Sequence, residues 1–171
     1  MSSAWSRFAP FIRVTPRYLR LALSSAEEMA IEDALFDQLG IASLLDWRGP
    51  SGELFDLERG AGPLATVARA VVGRAPERLA TVEGLVPFDW GPDGALRPGE
   101  IDRALQELPD LIRGPGPIRY FGADERTPPY LWTSFEAPGL QLGGVVEETA
   151  WTEWSRSFGE RFASFPLRAL R

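Results

Sequence analysis

Carboxylates, arginines, hydroxyls and aromatic rings supply the chemistry of this 171-residue chain, because it contains no histidine, cysteine, lysine or asparagine. Asp33 and Asp37 are four residues apart, so on a helix they share a face. Two such carboxylates hold Mg²⁺ or Ca²⁺ only with ligands from elsewhere, and a solvated helix face is the simpler reading. Glu147 and Glu148 are adjacent, which on a helix sets them about 100° apart, too divergent to converge on one proton or ion. At a helix start they would instead favour its positive end. Asp89 and Asp93 flank a Gly/Pro turn but lack the alternation of a calcium loop.

The missing residue types exclude more. Without His no near-neutral imidazole shuttles protons, and without Cys there is no thiolate, disulfide or zinc–sulfur set. Without Lys there is no Schiff-base amine. A serine nucleophile would have no His or Lys base. Gly114-Pro-Gly-Pro117 cannot cradle phosphate, since its prolines lack the donating N–H. No cofactor and no metal is expected. All 18 basic residues are Arg and Ala, Gly and Pro are abundant, as a GC-rich coding sequence would give; selection against lysine modification, or for bidentate arginine pairing, is the alternative.

The aromatics are the remaining signal. Tyr130 and Trp132 stand in a proline-flanked segment with Arg126, Glu136, Asp124 and Glu125 close by in sequence. Trp, Tyr and Arg dominate interface energetics, so Arg126, Tyr130, Trp132 and Glu136 are candidate partner-binding residues. The competing reading has the rings filling a core beneath a long loop. Trp151 joins the candidates: it lies off the centre of the stripe Ala150, Trp154, Phe158, Phe162 and Phe165, and partial exposure is expected for it.

The elements that must position these residues are signalled locally. Tyr18–Leu23 alternates as a strand does. Ser24 and Ser25, each three residues before a glutamate, form S-x-x-E capping boxes. The helix they open should run to Leu39, with Met29, Ile31, Ala34, Leu35 and Leu39 buried and Gly40 as its stop. Pro63 opens a helix over residues 64–72 that ends at Gly73, and Pro98 opens another with Ile101, Ala104, Leu105 and Leu108 inward. Breaks fall at residues 49–52 and 114–117. Residues 118–121 read as a short strand or extended segment, and residues 122–139 as the longest irregular stretch. The aromatic helix begins near Val145 or Glu147 and stops at Pro166. Together these predict an α+β fold: a small, mostly antiparallel sheet, three to five helices and a long aromatic C-terminal helix.

This order of features resembles the YfbM-like family of small bacterial proteins. The resemblance is carried by the Tyr18–Leu23 strand and its capped helix, by Gly62-Pro-Leu64 with Ala70-Val-Val-Gly73, and by Ala95-Leu-Arg-Pro-Gly-Glu-Ile101 with Ala104-Leu105. A histidine common in that family has no counterpart in the segment Leu45–Gly49. The resemblance implies a fold more than an activity.

Length and composition fit a single globular domain over residues 1–171, with 1–16 as a candidate N-terminal arm. Net charge is −6, yet residues 1–26 hold four arginines and no acid, so the remainder carries −10. An acidic body disfavours nucleic acid, although the arginine-rich start is a candidate anion-binding arm. With no apolar run of spanning length and no apolar leader, no membrane segment and a cytoplasmic location are expected. The functional expectation is a non-catalytic module binding a protein partner, a basic one by charge, as an immunity or inhibitor protein would. The alternative is a carboxylate-dependent enzyme or small-ligand binder.

Overall fold

The structure, a computed structural model, describes residues 4–40, 43–48, 54–57, 62–90, 94–136 and 138–168. The strands are β1 (Ile12–Arg20), β2 (Leu54–Asp56), β3 (Glu77–Val86), β4 (Leu111–Ile112), β5 (Ile118–Tyr120), β6 (Tyr130–Glu136) and β7 (Gly139–Glu147). The helices are α1 (Ser25–Leu39), α2 (Leu64–Val72), α3 (Pro98–Gln106) and α4 (Glu148–Arg161). The sheet runs β2-β1-β3-β7-β6-β5-β4, and its β2–β1, β7–β6, β6–β5 and β5–β4 pairings are antiparallel. The fold is α+β, with an aromatic-rich C-terminal helix.

The chain divides into two compact units, Pro16–Ala80 and Met1–Thr15 with Thr81–Arg171. In Pro16–Ala80, α1 starts where the sequence places it. Ser24 Oγ accepts from the Glu27 N–H at 3.3 Å and Glu27 Oε2 accepts from the Ser24 N–H at 2.9 Å, which satisfies two otherwise orphaned donors. Gly40, at φ 69°, closes the helix by donating its N–H to the Phe36 carbonyl. Ile31 and Leu35 are buried with Leu19, Leu44, Phe55, Leu64 and Val67. Met29 and Leu39, expected on that side, are instead 64% and 49% exposed. Met29 lies about 200° around the helix from Ile31, so both cannot face one core.

The other unit is built on rings. Trp151, Trp154, Phe158 and Phe162 of α4 and its end stack in succession, with centroids 5.4, 5.3 and 4.5 Å apart. Residues 5–11, read from sequence as part of an arm, form two 3-10 turns packed on this ladder. Trp5 meets Trp151 and Phe158 edge-on, and Phe8 meets Phe158. Arg7 donates to the carbonyls of Ala163 and Phe165 at 2.5 and 2.6 Å, capping the chain just past α4. In α3, Ile101, Ala104 and Leu105, with Leu108 beyond its end, are buried as their spacing predicts.

The strands differ from the sequence reading in several places. β1 covers Ile12–Arg20 rather than the expected Tyr18–Leu23, so it takes in residues 12–16 of the expected arm and ends before Leu21, and neither β3 nor β4 has a counterpart among the expected elements. Much of the stretch read as irregular is the first arm of the β6–β7 hairpin, and β7 runs to Glu147 so that α4 follows without a linker. Pro128, Pro129 and Pro138 flank β6 without interrupting its ladder, and Gly143-Gly144 hides the alternation of β7. The breaks expected at 49–52 are outside the described residues apart from their flanks, as is Asp93.

Candidate functional site

Alternation along β6 sorts its side chains. Leu131 and Thr133 are buried and Phe135 packs against the aromatic core. Tyr130, Trp132, Ser134 and Glu136 therefore take the opposite face. Register sets Arg119 of β5 and Gly143 of β7 on either side of Trp132, with Ile112 of β4 beyond Arg119. A Cβ at position 143 would sit 2.7 Å from Trp132 Cζ2, so the indole lies down over the glycine and stays half-buried.

The loop before β6 frames this row. Asp124 Oδ1 accepts from the Arg126 N–H at 2.9 Å, and its carbonyl accepts from the Thr127 N–H at 3.1 Å. Gly122 passes so close to the Pro129 carbonyl that no side chain would fit there, and the Pro128–Pro129 peptide that leads into Tyr130 is cis. Glu125 reaches back to Arg119, Oε1 to Nη2 at 3.6 Å, with Glu125 half-exposed and Arg119 less so. Arg126 is exposed on this loop, and Glu136 is exposed at the far end of β6, roughly 20 Å from Tyr130 along the strand.

The structure thus brings Tyr130 and Trp132 together, with Arg126 on the adjoining loop and Glu136 on the same face but distant. Trp151 is elsewhere. It is only 7% exposed, held between Trp5 and Trp154 in the core, where its edge and Trp5 border a groove of about 590 Å³ with Thr149, Thr152, Glu153, Ser155 and Arg156. The partial exposure expected from its place off the stripe is absent because Trp5, far away in sequence, covers it. Sequence reasoning missed Arg119. Its only local signal is its place in the short strand Ile118-Arg-Tyr-Phe121; its position beside Trp132 follows from strand register.

The Arg74 guanidinium and the Ser24 N–H hold the Glu27 carboxyl at a pKa of about 2, and this glutamate is a helix cap. Burial pushes the Tyr120 phenol well above its ordinary value while its OH donates to the Leu105 carbonyl at 2.8 Å. No group of three or more acids among the described residues is arranged to hold a metal ion, and Asp33 and Asp37 are exposed on α1. No helix among them is long and apolar enough to cross a membrane. No protein-family model, curated protein or solved structure matches this chain.

Proposed function

We propose that the chain is a non-catalytic protein-binding module that engages a basic partner, in the manner of an immunity or inhibitor protein. The observation that carries this reading is Trp132: a large ring laid half-buried over Gly143, beside Arg119 and next to a loop bearing Asp124, Glu125 and Arg126. A ring already ordered by its own sheet loses little rotamer freedom on binding, which makes it a good anchor. The acidic body would steer a basic partner toward it.

A tagged full chain is incubated with lysate of the source organism at moderate salt, beside its Trp132→Ala variant. The expected result is a basic protein retained in stoichiometric amount by the parent and lost from the variant, with unchanged far-UV circular dichroism. Equal retention by both proteins would remove Trp132 from the interface, and retention of only acidic or neutral proteins would sink the basic-partner reading.

A second reading, small-ligand binding, has one observation in its favour: the groove of about 590 Å³ bordered by Trp5 and Trp151, a volume suited to a compact organic ligand. Saturable quenching of tryptophan fluorescence by a small-molecule panel, abolished in Trp151→Phe, would support it.

A further inference from the structure

The helix α1 carries Glu27, Glu28, Glu32, Asp33 and Asp37 and no basic residue. Three of these acids are engaged: Glu27 with Arg74, Glu28 with Arg48, and Glu32 with the Leu44 N–H at 3.0 Å. Asp33 and Asp37 have no hydrogen bond or ion pair among the described residues. They stand on the face turned away from Ile31 and Leu35, together with Ala26, Met29, Ala30 and Phe36, all exposed. These positions follow the three-and-four spacing of a helix-docking stripe.

That face is unusual for solvent. Met29 is 64% and Phe36 60% exposed, seven residues apart and so nearly in line along the helix. Ala26 and Ala30 would let a partner backbone come close at one end. The charges choose among occupants. A second copy packed antiparallel with its dyad midway between Met29 and Phe36, so that the two seams overlap fully, would bring Asp33 close to its own symmetry mate, an unfavourable like-charge contact. An anionic bilayer would be repelled by the carboxylates of Asp33 and Asp37, unpaired among the described residues. Complementary charge leaves a cationic surface with an apolar seam.

We infer that α1 presents a docking face, Met29 and Phe36 flanked by Asp33 and Asp37, for a basic amphipathic helix of a partner protein. The inference rests on the protein-binding reading for its class but uses a surface separate from the Trp132 face.

The test uses the full chain and a fluorescein-labelled Leu/Lys amphipathic peptide of about 18 residues, five helical turns, read by fluorescence anisotropy against a Leu/Glu peptide of the same apolar pattern. The Leu/Lys peptide should bind at least about 10-fold more tightly than the Leu/Glu peptide, and Met29→Ser/Phe36→Ser should weaken it by about 10-fold or more. Asp33→Asn/Asp37→Asn should weaken it too, and Trp132→Ala should leave it unchanged. All four altered α1 residues are exposed, so thermal melts should be preserved. No binding of the Leu/Lys peptide, or equal binding to Met29→Ser/Phe36→Ser, would overturn the inference. So would a dimer in sedimentation velocity that Phe36→Ser dissociates, which would make a second copy the occupant. Loss of binding in Trp132→Ala alone would transfer the peptide to the sheet face, so the two readings fail separately.

Discussion

Gly143 holds Trp132 in place by having no side chain. The indole occupies the space a Cβ would take, so Gly143→Ala must push the ring off the sheet. Such overpacking costs about 1–3 kcal/mol. The expected outcome is a lowered denaturation midpoint and a displaced Trp132 resonance in fluorotryptophan NMR; an unmoved resonance would mean the ring does not lie there. Tyr120 tests the buried side of the same sheet. Its phenol donates to the Leu105 carbonyl, which also accepts from the Leu108 N–H at 3.2 Å, so Tyr120→Phe removes one buried hydrogen bond without stranding the carbonyl, at a cost of about 0.5–1.5 kcal/mol. A variant as stable as the parent in urea would show that the phenol's hydrogen bond adds nothing beyond the backbone donor.

At the scale of elements, the start of α1 couples stability to pH. Glu27 accepts from Arg74 and from the Ser24 N–H, so its folded pKa of about 2 lies below the ordinary 4.5. A depressed carboxyl pKa adds stability that is complete above the unfolded value and disappears as pH falls through the folded one. The window is therefore pH 4.5 down to about 2. Urea midpoints of Glu27→Gln should lie below those of the parent at neutral pH and converge on them across that window. Parallel curves would remove Glu27 as the titrating group. The helix α4 depends on a different device. Its ring ladder is completed by Trp5 and Phe8 from the N-terminal turns, so the burial of Trp151 is decided by residues about 145 positions away in sequence.

For the whole molecule, charge is the governing quantity. The net −6 arises from an acid-free stretch of 26 residues and a strongly acidic remainder. Association with a basic partner should therefore be fast at low salt and slow markedly as ionic strength rises past the point where the screening length falls below about 10 Å. Stopped-flow association rates across a salt series would check this. A flat series would mean that apolar contacts alone drive encounter.

Much of this protein was legible in its amino-acid order. Ser24 with Glu27, Gly40, Gly73 and Pro98 mark helix ends through contacts within a few residues of themselves, and such local signals survive without knowledge of the fold. The aromatic stripe of α4 and the α+β class follow from the same short-range periodicity. Tertiary structure decided the rest. It made strands of β3 and of the β6–β7 hairpin despite the glycines and flanking prolines, because ladder partners are distant in sequence. It chose Ile31 and Leu35 over Met29 as the buried side of α1, since a helix turns only one stripe to its core. It set Arg119 beside Trp132 and covered Trp151 with Trp5. Capping is chemistry between neighbours; register and burial depend on which surfaces the folded chain brings together.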